Sequence, residues 1–158
     1  MKAEEDHTSG GWVEIDQTQA LYAQARTVHD KGDFKALEVL ATELYEHAQE
    51  SRDDVMMARA HNLLGNCALY AVDGDKAERF YRSALEHFRA AGDPQGEAII
   101  ALNLGCIASD LHMDQIEARR QWEYALALFR EQSDPLRTAI ALANLAELNR
   151  LEGDYARA

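Results

Sequence analysis

The sequence predicts an all-α protein, an α-solenoid of antiparallel helix hairpins about three and a half repeats long. A short phrase returns at a nearly fixed interval: Leu63-Leu64-Gly65-Asn66, then Asn103-Leu104-Gly105-Cys106, then Asn144-Leu145-Ala146-Glu147. Gly65 and Gly105 are 40 residues apart, and Gly105 is 41 from Ala146. Self-similarity at such a period marks a stacked array. Between these phrases, apolar residues recur at spacings of three and four. Phe34, Leu37, Leu40, Ala41, Leu44, Tyr45 and Ala48 form one such stripe, the 3.6-residue period of an amphipathic helix. Short turn signals separate the stripes, so successive helices must fold back on each other.

The elements follow in order. Residues 1–15 read as a flexible acidic tail, with Glu4, Glu5 and Asp6 ahead of Thr8-Ser9-Gly10-Gly11. Trp12, Val13 and Ile15 interrupt it and either dock on the first helix or belong to a linker. Asp16-x-x-Gln19 resembles a capping box. Helices are then predicted over about 17–31, 34–50, 54–72, 76–91, 94–109, 114–131 and 135–152. Gly32-Asp33, Ser51-Arg52-Asp53, Asp73-Gly74-Asp75, Gly92-Asp93-Pro94 and Ser133-Asp134-Pro135 break them. Asp93 and Asp134 suit N-caps, and Pro94 and Pro135 suit first helical residues, where a missing N–H costs nothing. Gly153-Asp154-Tyr155 reads as one more turn, opening an eighth helix cut after Ala158. The repeats are thus about 17–52, 53–92, 93–133 and a truncated 134–158, within one repeat domain over 16–158.

Composition narrows the function classes. A net charge of −12 over 158 residues repels phosphate backbones, so direct nucleic-acid binding is not expected. A basic partner is the electrostatic complement of the whole. Two cysteines, Cys67 and Cys106, lie in apolar helical patterns and read as buried thiols, not as a disulfide framework. No apolar run is long enough to span a membrane, and Met1 to His7 lacks a signal peptide's apolar stretch. A cytoplasmic location is expected by default.

The spacing of small, leucine and aromatic residues resembles the tetratricopeptide repeat family. The second repeat has Leu64-Gly65, Ala68, Ala77, Tyr81 and Ala84; the third has Leu104-Gly105, Ala108, Ala118, Trp122 and Ala125. The fourth begins with Leu142 and Leu145-Ala146. The first is degenerate, keeping Leu21, Ala25, Val28, Gly32-Asp33-Phe34, Leu37, Ala41 and Leu44 without Leu-Gly. A period of 40 to 41 departs from the common length of about 34. It is similar to the longer units of kinesin light chains, cell-polarity adaptors and bacterial regulators with sensor arrays. The extra length is expected at helix ends and inter-repeat turns. The resemblance implies a right-handed superhelix, with a ring such as Tyr81 or Trp122 filling the gap between hairpins.

The resemblance also implies that the first helix of each hairpin lines a concave binding face. On the first helix that face offers Tyr22, Arg26 and His29; on the third Arg59, Asn62, Asn66 and Tyr70; on the fifth Asn103, Cys106 and Asp110; on the seventh Asn144, Glu147 and Arg150. Asn both donates and accepts, so Asn62, Asn66, Asn103 and Asn144 form a ladder suited to an extended peptide, or else to bonds with neighbouring helices.

Chemistry is not invited by the remaining residues. None of the six histidines pairs with another at i, i+4, and His61 reads as a core histidine. The Asp-rich turns lack the length of a calcium loop, and no Gly-rich phosphate loop or nucleophile elbow occurs. No catalysis, metal or cofactor is therefore expected. The function expected is a protein-interaction scaffold that holds a peptide or protein segment. The alternative is a regulatory or sensor segment of a larger bacterial signalling protein or transcription regulator. The last helix is apolar on much of its surface (Ala139, Ile140, Ala141, Leu142, Leu145, Ala146, Leu148, Leu151). That predicts either a fragment of a longer array or self-association through this helix.

Overall fold

The computed structural model describes residues 17–155, and among them the chain forms seven α-helices and no strand. They are α1 Gln17–Asp30, α2 Phe34–Ser51, α3 Asp54–Tyr70, α4 Gly74–Ala91, α5 Pro94–Asp110, α6 Gln115–Glu131 and α7 Pro135–Tyr155. The expected tail, with Trp12, Val13, Ile15 and the Asp16 capping box, lies outside the described residues, as do 156–158 of the expected eighth helix.

One local device separates all seven helices. At each junction a residue with left-handed backbone precedes an aspartate: Gly32, Arg52, Val72, Gly92, Met113 and Ser133, with φ between 54° and 73°. The aspartates Asp33, Asp53, Asp73, Asp93, Asp114 and Asp134 each accept a hydrogen bond from the backbone N–H three residues on, at 2.9–3.1 Å. Each bond satisfies an orphan donor of the helix that follows. At five junctions the aspartate's own N–H donates to the carbonyl five residues back, closing the helix before it. These aspartates recur every 20 residues, except for 21 between Asp93 and Asp114. There the N–H of Asp114 reaches six residues back, to Ala108. One extra residue in the α5–α6 turn therefore lengthens the repeat from 40 to 41.

Two expectations are corrected. Connecting segments run from Arg52–Asp53 to Leu111–Asp114, while α2 to α6 each have 17 or 18 residues. The length beyond a repeat of about 34 residues therefore sits in the helices, in keeping with the expected longer helix ends, and only its expected share in the inter-repeat turns is corrected. Gly153-Asp154-Tyr155 is not a turn: α7 continues through it to Tyr155. Gly153 keeps helical backbone where Gly32 and Gly92 take positive φ. A helical glycine costs only about 1 kcal/mol relative to alanine, too little to end a helix by itself.

The core runs along the chain as three clusters, each shared between hairpins. One cluster joins α1, α2 and α3 through Leu21, Leu37, Leu44, Met56 and Leu63. A second joins α3, α4 and α5 through Ala58, Tyr81, Phe88, Ile100 and Leu104. A third joins α5, α6 and α7 through Ala101, Trp122, Phe129, Ala141 and Leu148. Each helix packs mainly on its neighbours in sequence, and α1 touches α3 as α3 touches α5. That is the contact pattern of a stacked array, in which no hairpin buries its apolar faces alone.

The recurring glycines are crossing points. A Cβ on Gly65 would run into the Tyr81 ring, and one on Gly105 into the Trp122 ring. Each ring thus lies against the first helix of its own hairpin, rather than filling only the gap to the next one. Tyr81 is fully buried, and its hydroxyl donates to Asn66 Oδ1 at 2.6 Å. The Trp122 indole N–H donates to the Leu102 carbonyl at 3.2 Å.

Candidate functional site

The first helices of the hairpins, α1, α3, α5 and α7, together line a groove of about 350 Å³. Tyr22 and Arg26 come from α1, Arg59 and Asn62 from α3, Gln95, Gly96 and Ile99 from α5, and Arg137 from α7. Phe88 and Asp93 complete the lining. Gly96 is buried, and a side chain there would collide with Phe88, so this glycine lets α5 approach the ring closely.

Four of the expected site residues, Tyr22, Arg26, Arg59 and Asn62, therefore meet in one place. The Arg59 guanidinium sits over the Tyr22 ring, 4.8 Å from its centroid, a cation–π contact that fixes both. The other nine lie outside this lining, and their positions differ. Asn66 is committed to structure: its Nδ2 meets His29 Nε2 at 3.2 Å while its Oδ1 receives the Tyr81 hydroxyl. Asn103 Nδ2 donates to Asn62 Oδ1 at 3.3 Å, and Asn144 Nδ2 lies 3.9 Å from Cys106 Sγ. The asparagine ladder thus bonds across neighbouring first helices, His29 to Asn66, Asn62 to Asn103 and Cys106 to Asn144. It ties the array together and leaves only part of its capacity for a ligand. Tyr70 is exposed and stacks on Phe34 with centroids 4.1 Å apart. Asp110 is exposed at the end of α5, and Glu147 and Arg150 are exposed and paired with each other at 2.6 Å.

The lining contributed by Gln95, Ile99 and Arg137 was not among the expected residues. A signal for it exists. Gln95 and Ile99 precede Asn103 at intervals of four, and Arg137 precedes Asn144 by seven, so the same helical stripe leads to all three.

Reactive groups are spent on packing. Cys67 is buried, its thiol 3.6 Å from the Phe34 carbonyl, and burial pushes it up to about 11. Burial likewise raises Cys106 above the usual thiol value. His61 stacks on Tyr45 with centroids 4.4 Å apart and lies beside Phe80 and His87. Its Nδ1 is buried with no hydrogen-bond partner, and burial, with His87 close by, lowers it to about 4. Among the described residues no group of three His, Cys, Asp or Glu gathers as a metal site, and no helix is long and apolar enough to cross a membrane.

No protein-family model matches the sequence, and no curated protein matches it significantly. Among solved structures, the chain is similar to the crystal structure of BtubC (BKLC) from P. vanneervenii, at 27% identity and a TM-score of 0.74. The similarity covers 88% of this chain and 57% of that one, so this chain spans little more than half the length of its structural relative.

Proposed function

We propose that this chain is a protein-interaction module of the tetratricopeptide kind, built from long 40-residue repeats, which holds an extended peptide or protein segment against its first helices. The groove lined by four successive first helices is the observation that carries this reading. A site that draws one or two side chains from each helix suits a ligand lying across them. The volume of about 350 Å³ is at the small end for ligand pockets and matches a few residues of chain. Ile99 and Phe88 supply an apolar floor, and the amides of Asn62 and Gln95 are placed to meet a peptide backbone. The commitment of thiols and His61 to packing favours binding over catalysis.

The test is to select ligands from a random-peptide phage library on the full chain, then to measure the best peptide by fluorescence anisotropy against Ile99→Arg. An arginine at 99 fills the floor of the groove, and circular dichroism checks that the helices persist. Loss of binding supports the groove; equal binding sinks it.

An additional contact, between copies of this chain, is supported by α7. Leu136 is 71% exposed, and Ile140 and Leu142 are 43% exposed each. Light scattering on Ile140→Glu with Leu142→Glu tests it: the native chain associates and the variant does not. A native chain that stays monomeric at high concentration removes this part of the proposal.

A further inference from the structure

The groove opposes the rest of the molecule in sign. The chain carries −12 overall, yet three of the four charged residues lining the groove are arginines: Arg26, Arg59 and Arg137, against Asp93. The carboxylate of Asp93 is already engaged, since its Oδ1 accepts from the N–H groups of Gln95 and Gly96 at 3.1 and 3.0 Å. Arg137 is engaged too, held by Asp134 at 2.6 Å. Among the described residues no carboxylate pairs with Arg26 or Arg59. Arg59 is nonetheless held in place, by the Tyr22 ring, whose centroid is 4.8 Å from its guanidinium carbon, and by Met56 sulfur 4.0 Å from one nitrogen. A ring contact uses none of the guanidinium N–H donors, so those not turned to Met56 can receive a carboxylate. Arg26 lies one turn beyond Tyr22 on the same helix and opens into the same groove.

Resting on the peptide-binding reading above, we propose that the groove selects an acidic segment: Arg26 and Arg59 receive Glu or Asp side chains of an extended peptide. Whole-molecule charge pointed to a basic partner, but the local field at the groove rejects one. A lysine or arginine entering it meets two guanidinium groups that, among the described residues, pair with no carboxylate. A nucleic acid or an anionic membrane fails for the converse reason, because its charge extends past the groove and meets the acidic surface around it. A short peptide confines its charge to the arginines. Salt screens the groove's attraction and the outer repulsion together, so ionic strength is a poor readout and a charge-neutral isosteric peptide is a good one.

The experiment uses peptides selected from the random library on the full chain. Enrichment in Glu and Asp is expected. Replacing those residues by Gln in the best peptide is expected to weaken binding about tenfold or more, the scale of one charge-assisted hydrogen bond. Arg26→Gln and Arg59→Gln are each expected to weaken the acidic peptide by a similar factor and to erase its advantage over the Gln version. Glutarate at millimolar concentration distinguishes a free dicarboxylic acid from a peptide, and it is expected to leave the peptide bound. Selected peptides that are neutral or basic, yet still depend on Ile99, overturn the acidic assignment and leave the peptide groove standing. Glu and Gln peptides of equal affinity do the same. Displacement by glutarate reassigns the site to a small acid. A library that yields no binder removes the groove reading and this inference with it.

Discussion

The covered first helices α3 and α5 differ from α7 at one matched position. Gly65 and Gly105 are buried under Tyr81 and Trp122, whereas Ala146, in the same register, is exposed. The first helices α3 and α5 each use two apolar faces, one for the hairpin before and one for their own second helix. On α7 only the former is used: Ala141, Leu145 and Leu148 are buried, while Leu142 and Ala146 face outward. The recurring Leu-Gly phrase is therefore the footprint of a partner's ring, and its small residue matters only where that ring is present.

The comparison is open to attack at several points. Tyr81→Ala empties a fully buried ring site between α3 and α4, and a loss of about 3–5 kcal/mol is expected in urea unfolding. Leu142→Ala on the outer face of α7 is expected to cost about 1 kcal/mol or less. Comparable losses at the two sites would contradict the contrast. Gly105→Val forces a branched side chain into the Trp122 ring and is expected to cost about 1–3 kcal/mol, whereas Ala146→Val stays within about 0.5 kcal/mol.

The covered region also holds a histidine whose titration burial shifts. Burial, with His87 close by, holds His61 at about 4, below the ordinary imidazole value of 6.5, so the fold favours the neutral imidazole. This part of the stability is complete above about pH 6.5 and is lost as pH falls toward 4, by at most about 1.4 kcal/mol per pH unit. His61→Phe keeps a ring beside Tyr45 and is expected to flatten the stability curve between pH 4 and 6.5. An unchanged slope would show that His61 does not govern it.

The smallest effect concerns the junctions. Val72 is a β-branched residue at φ 60°, in the backbone state that Gly92 occupies at φ 65°. Val72→Gly relieves that strain and is expected to raise stability by about 1 kcal/mol, visible as a higher Tm, while Gly92→Val lowers it by a similar amount. A drop in Tm for Val72→Gly would mean that the side chain contributes more than the strain costs.

Much of this fold is written locally. The apolar stripes, the Leu-Gly phrase and the capping role of Asp93 and Asp134 follow from spacing and residue type, which act within a few residues of chain. The 20-residue recurrence of aspartate is equally local, though the left-handed residue before it is hidden where it is Arg52, Val72, Met113 or Ser133 instead of glycine. Glycine advertises positive φ; these residues adopt it because the cap bonds on both sides and the packing of two helices hold them there. The site was legible in part. Tyr22, Arg26, Arg59 and Asn62 share the stripe of their helices offset from the core and do meet, and Gln95, Ile99 and Arg137 lie on the stripes of Asn103 and Asn144 one or two turns earlier. The engagement of Asn66 with His29 and Tyr81 was not legible, because it depends on how α1 and α4 are rotated against α3.

Sequence by itself determined that helices of nearly equal length alternate with minimal turns and that they must stack, because helical period and end-capping are short-range properties of the backbone and its nearest side chains. Only the tertiary structure decided which polar groups became mutual partners and which remained open to the groove. That choice depends on distances between helices, where a shift of an ångström or two makes or breaks a hydrogen bond, and so, among the described residues, it left Arg26 and Arg59 with no paired carboxylate inside an acidic protein.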